Sequence, residues 1–206
     1  MILLVFEGQK TERLIWAALH KLFPMKVDHI VAIYSRVIYD LWQKLKNDEY
    51  LDLLETLREL CPGNSELDDI DDDDISQVFL FFDYDGHAPI ACDESLHHML
   101  ETFNDENDRG KLYISYPMVE ALKDLDESYS LKQKNAKITK GYKKTVSDRS
   151  SFLNFSKITY DSWQNIAQAH LCQSNELVND SYSLPAKPAP SQKKVFQAQQ
   201  EKHIIP

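Results

Sequence analysis

Ile2-Leu3-Leu4-Val5-Phe6 is an unbroken apolar run that stops at Glu7. A run of this length ending in a polar turn predicts a buried central strand. Leu14, Ile15, Ala18, Leu19 and Leu22 then recur at helical spacing, with Thr11 as a candidate cap and Pro24 as the stop. A long helical region is expected from Ser35 to Leu60. Val37, Ile38, Leu41, Trp42 and Leu45 form one apolar stripe there, and Leu53, Leu54, Leu57 and Leu60 form another. Asn47-Asp48 marks a break between them, and Pro62-Gly63 ends the region.

Val78-Phe79-Leu80-Phe81-Phe82 is a second buried-strand run, closed by Asp83-Tyr84-Asp85-Gly86-His87. Leu96, Met99, Leu100 and Phe103 predict a helix, residues 104–110 a polar turn, and Leu112 to Tyr116 a third strand. Pro117 sits where a further helix would start, ahead of Val119, Glu120 and Leu122. Strands alternating with helices predict a parallel α/β sheet with right-handed crossovers, Rossmann-like and flanked by helices. The expected organisation is a first domain over 1–128, with a helical insertion at about 35–62 and an acidic linker at 64–75. A basic helical appendage follows over 129–180, with a short helix around Trp163, Ile166 and Leu171, and then a flexible tail over 181–206. The tail is rich in Pro, Ala, Ser, Lys and Gln. Val195, Gln199 and Lys202 fit a helix feeding Ile204-Ile205, so the chain reads as one that continues further, its tail poorly ordered alone or docked on a partner.

Charge changes this picture at two places. The 206 residues hold 23 Lys plus Arg and 33 Asp plus Glu, a formal charge of −10. Seven carboxylates crowd Glu66 to Asp74 with no glycine among them, which suits a solvated linker better than a calcium loop. Lys132 to Arg149 is the opposite: seven cations against the single acid Asp148. It is the one clear basic segment, and its candidate nucleic-acid contacts are Lys140, Lys143 and Lys144, with Tyr142 available to stack on a base. Its plainer reading is a solvated loop that offsets surface acids. No run of about 18 apolar residues exists to span a membrane. The start lacks the basic region and cleavage site of a signal peptide. Cys61, Cys92 and Cys172 are odd in number and far apart, so neither a disulfide framework nor a cysteine zinc site is expected, and a cytoplasmic setting is.

The candidate chemistry lies at the carboxyl ends of the two apolar runs. Glu7-Gly8-Gln9-Lys10-Thr11-Glu12 follows the first, and Asp83-Tyr84-Asp85 follows the second. Open parallel sheets bind ligands beyond the carboxyl ends of their strands. Carboxylates there are hard oxygen donors suited to Mg²⁺ or Mn²⁺. Asp83 and Asp85, two apart, share a face in extended chain. Lys10 is also a plausible solvated lysine at a helix start, Glu12 a first-turn acid on the helix dipole, and Glu120 a helix-surface acid. His87 reads as a polar loop position, and the adjacent His97 and His98 make a poor metal pair. No phosphate-cradling Gly-x-x-x-x-Gly-Lys motif is present, so any nucleotide-driven motor is a separate chain.

Apolar strand, Glu7-Gly8, then a distant apolar strand with Asp83-Tyr84-Asp85 resembles the TOPRIM pattern. Val5-Phe6-Glu7-Gly8-Gln9-Lys10-Thr11-Glu12 is most similar to the OLD (overcoming lysogenization defect) and RloB-like nuclease branch, where a second Glu follows the Glu-Gly. Ser115-Tyr116-Pro117-Met118-Val119-Glu120 resembles its third acidic motif. The resemblance covers roughly residues 2 to 125, and the helices inserted between Pro24 and Pro62 lengthen the usual spacing. It implies a TOPRIM-like fold and a Mg²⁺- or Mn²⁺-dependent nuclease with Glu7 as metal-binding acid and general base. Glu12, Asp83, Asp85 and Glu120 would be further ligands, and Lys10 a phosphate contact. It also implies a role in bacterial anti-phage defence beside a separate ATPase partner, with an oligomer possible.

Two other readings remain open. Phe81-Phe82-Asp83-Tyr84-Asp85-Gly86 also resembles the nucleophile motif of haloacid-dehalogenase-like phosphatases, with Asp83 phosphorylated and Asp85 as acid/base. That motif normally continues with Thr or Val and opens the chain, and it gives Glu7 no role. The third reading is a non-catalytic binding or regulatory protein that keeps the TOPRIM fold.

Overall fold

The computed structural model describes residues 1–47, 52–84, 86, 89–130, 142–149 and 154–204. The chain divides into two compact units. The first comprises residues 1–13 and 24–115, and the second residues 14–23 and 116–206.

The first unit is an α/β sheet flanked by helices. Strands β1 (Ile2–Phe6), β2 (His29–Ile33), β3 (Gln77–Asp83), β4 (Asn104–Asp105) and β5 (Gly110–Ser115) lie in the order β2-β1-β3-β5-β4. All pairings are parallel except the two-residue β4 against β5. Every residue of β1 is buried, as its unbroken apolar run requires of a strand with neighbours on both edges. In β3 burial alternates: Val78, Leu80 and Phe82 are buried, while Phe79 and Phe81 are half-buried. Phe81 stacks on Tyr113 of β5 at 5.4 Å and tilts against Phe6 at 5.2 Å. Helix α1 (Thr11–Leu22) connects β1 to β2, with Thr11 as its first residue.

The helical insertion divides as its two stripes predict, into α2 (Ile38–Leu45) and α3 (Leu53–Leu60). Ile38, Leu41 and Leu57 are fully buried, and Asp52 caps α3 by accepting the backbone N–H groups of Leu54 and Glu55. β2 was not expected. Its run is only Ile30 to Ile33, just before the helical pattern begins. The acidic segment also differs from a plain solvated linker. It forms the short α4 (Ser65–Asp68) and a 3-10 turn at Asp72–Asp74. Leu67 and Ile70 are buried, and Arg58 donates to their carbonyls at 3.0 and 2.7 Å. Arg58 also pairs with Asp72 at 2.7 Å. The carboxylates stay in solvent while two apolar residues and one arginine fix the backbone. Helix α5 (Asp93–Thr102) buries Leu96, Met99 and Leu100.

The second unit holds α6 (Tyr142–Arg149), α7 (Tyr160–Asn179) and α8 (Gln192–Glu201). Its core gathers Ile15, Val119, Leu125, Phe155, Trp163, Ile166 and Ala169. Pro117 does not start an α-helix; a 3-10 turn spans Val119–Lys123 instead. α7 runs 20 residues, far past the short helix expected, and its Leu171 is exposed. The tail forms α8, with Phe196 fully buried. Among the described residues no helix is long and apolar enough to cross a membrane.

Candidate functional site

From β1 the chain crosses to β2 on one side and later to β3 on the other. Consecutive connections that leave one strand in opposite directions open a crevice outside its carboxyl end, where open α/β sheets bind ligands. Glu7 and Asp83 stand at this point. The register sets Phe6 beside Phe81, so the first residue after β1 meets the last residues of β3. The Glu7 backbone N–H donates to Phe81 O at 3.1 Å. The Asp83 backbone N–H donates to Glu7 Oε2 at 2.9 Å. The two half-buried acids are thereby fixed side by side by main-chain bonding. Tyr84 turns the other way: it is buried, and its hydroxyl donates to Asp93 Oδ1 at 2.9 Å.

Glu12 lies in the first turn of α1, and its Oε1 accepts the Gly8 backbone N–H at 3.0 Å. A Cβ on residue 8 would fall 2.4 Å from Glu12 Oε2, so glycine leaves room for this carboxylate to close the loop. Lys10 is exposed and has no ion-pair partner among the described residues. The end of β2 belongs to the same crevice. Ser35, in the left-handed region at φ 58°, donates its N–H to Glu7 O at 2.9 Å and receives Gln9 Nε2 on its hydroxyl at 3.1 Å.

Asp85 and Lys140 lie outside the described residues, as do His87 and most of the basic segment. Among the described residues no group of three or more His, Cys, Asp or Glu is arranged to hold a metal ion. The structure therefore joins Glu7 to Asp83 and sets Glu12 on the same loop. Glu120 belongs to the second unit. It is 4% exposed, and Lys143 Nζ lies 2.6 Å from its Oε1. Tyr142, expected as a stacking platform, is instead buried, with its hydroxyl donating to Asp124 Oδ2 at 3.2 Å. Lys144 is exposed on α6.

No family model, no curated protein and no solved structure matches the chain. The TOPRIM resemblance thus rests on the motif residues themselves. The residues that motif reading missed are Arg13, Tyr34, Ser35 and Arg36. The last three follow β2, and the signal for them was the Ile30 to Ile33 run between Asp28 and Ser35, overshadowed by the helical pattern that begins at Ser35.

Proposed function

We propose that this protein is a metal-dependent phosphodiester hydrolase acting on DNA or RNA. The observation that carries the reading is that Glu7 and Asp83 stand at the ends of two adjacent parallel strands at the switch point, where the Asp83 backbone N–H donates to Glu7 Oε2 at 2.9 Å. An oxygen-only donor set at the carboxyl ends of two adjacent parallel strands suits a hard divalent cation, Mg²⁺ or Mn²⁺. Glu7 and Asp83 would hold it, joined by Asp85 on sequence grounds. When bound, such an ion supplies Lewis acidity at a phosphoryl oxygen and a nucleophilic water at neutral pH. The chain's own part is to keep Glu7 in one orientation through the Asp83 N–H, to keep Glu12 on the Gly8 N–H, and to offer the Lys10 charge to a phosphate oxygen. The motif resemblance extends the proposal to a nuclease of bacterial anti-phage defence acting beside a separate ATPase chain.

The neighbouring Glu7 also favours this reading over a phosphomonoesterase with Asp83 as nucleophile, in which Glu7 has no role. Incubation with end-labelled DNA, labelled RNA and a chromogenic phosphomonoester, each with EDTA, Mg²⁺ or Mn²⁺, tests the choice. Metal-dependent shortening of a polynucleotide supports the proposal. Turnover of the monoester alone overturns it in favour of the phosphatase. Inertness toward all three substrates with every metal overturns it in favour of a binding role.

A further inference from the structure

On the β2 side of the switch point lies a cleft of about 720 Å³, built from the residues after β1, the end of β2 and the turn after α3. Pockets of that size accept small organic ligands. Three cations, Lys10, Arg13 and Arg36, line it against one carboxylate, Glu66. In a chain of formal charge −10 this concave surface carries the opposite sign from the molecule as a whole, and so draws anions. Both guanidiniums are held in place. Arg13 pairs with Glu66 at 3.1 Å, while Arg36 pairs with Asp40 at 3.0 Å and donates to Leu60 O at 3.5 Å. Each guanidinium carries five N–H donors, so these bonds leave others for a ligand.

Tyr34 supplies the second, independent observation. It lines the same cleft and is 2% exposed, and its hydroxyl has no hydrogen-bond partner among the described residues. A buried hydroxyl without a partner costs stability and calls for an explanation. The charged and polar groups acting on it are Asp40, Cys61, Arg36 and Glu7. Burial pushes its pKa up, which keeps the proton on the oxygen for donation.

We propose that this cleft binds a phosphate monoester, with Lys10, Arg13 and Arg36 supplying charge and the Tyr34 hydroxyl donating a hydrogen bond from the buried side. The pocket deepens the proposed function, on which its meaning beside Glu7 rests: the group recognised next to the acids is a terminal phosphate. That phosphate can be carried by a free nucleotide or by the end of a strand.

Calorimetric titration of the full chain in EDTA tests the pocket without any metal at the acids. The probes are adenosine monophosphate, adenosine, and a tetranucleotide with and without a 5′-phosphate. Binding is expected for the phosphorylated probes and not for their unphosphorylated counterparts. Monophosphate binding as tight as the tetranucleotide's identifies the free nucleotide as sufficient; binding of the phosphorylated tetranucleotide alone identifies the strand end. Lys10→Gln and Tyr34→Phe should each weaken binding about tenfold, the worth of one charge-assisted hydrogen bond, without lowering the melting temperature. A hydroxyl with a merely structural role would leave affinity unchanged in Tyr34→Phe. Failure of both phosphorylated probes to bind, or wild-type affinity in both variants, overturns the proposal. Binding without metal-dependent cleavage in the wild-type protein would remove the nuclease reading alone, and cleavage without binding would remove the pocket alone.

Discussion

Glu7 is a structural acceptor as well as a candidate ligand, because its carboxylate terminates the hydrogen bonding of two strand ends. Glu7→Ala leaves the Asp83 N–H without that acceptor and should cost about 1–2 kcal/mol. Glu7→Gln keeps an oxygen there and should melt within about a degree of wild type, since only lost free energy moves the midpoint. Calorimetry of both variants checks this; equal melting temperatures would show that the bond contributes nothing. His170 makes a prediction about acid. Burial holds its pKa below the ordinary histidine value, while Leu122 hydrogen bonding and Asp124 oppose the shift. The unfolded chain therefore takes up a proton before the folded one does. Stability should be intact above about pH 6.5 and decline as pH falls below that value toward the folded pKa. His170→Gln should flatten the decline, and parallel melting curves for the two proteins between pH 6.5 and 5 would exclude this histidine as its source. At this scale the sequence named Glu7 and Asp83 because each ends an apolar run. It concealed the bond between them, since strand register is set by pairing across 76 positions. It misassigned Tyr142 because the partner that anchors its hydroxyl, Asp124, lies 18 positions upstream.

Strands β1, β3 and β5 were legible from their apolar runs, and α2 and α3 from their stripes with Asn47-Asp48 between them. β2 was not, because a short half-buried strand leads almost directly into a strong helical pattern. The Glu66 to Asp74 segment showed its charge but hid its anchor, since Arg58 reaches carbonyls 9 and 12 residues away. The tail illustrates the same limit. Proline-rich composition from Ser181 suggested flexibility, and Val195, Gln199 and Lys202 a helix; the helix is present as α8 with Phe196 fully buried, and Asn175 of α7 donates to Ser181 O and Ser183 O at 2.9 and 3.0 Å. Phe196→Ala should cost about 3–5 kcal/mol and expose the amides of residues 192–201 to rapid hydrogen exchange. Unchanged exchange in the variant would mean that the phenyl ring does not hold α8 in place.

Taken whole, the chain is an acidic molecule whose cationic surfaces are local exceptions to its net charge. Polynucleotide binding through such exceptions should weaken steeply with salt, as bound phosphates release their counterions. The two lysines of α6 should then separate. Lys144→Glu should reduce binding and the salt slope with the fold intact. Lys143→Glu should lower stability instead, because it faces the buried Glu120 carboxylate with a second negative charge. Filter binding at several salt concentrations, beside thermal melts, distinguishes them; two variants with the same behaviour would contradict the assignment. The strand order lay beyond sequence reading, because parallel pairings join segments separated by dozens of residues. Yet that order is what brings Glu7 and Asp83 together. The most direct test of the account is single-turnover cleavage of end-labelled DNA and RNA in Mn²⁺ by the wild-type chain, Glu7→Gln and Asp83→Asn. The account predicts cleavage by wild type and a loss of about a hundredfold or more in each variant at unchanged melting temperature. Wild-type rates in either variant would contradict it.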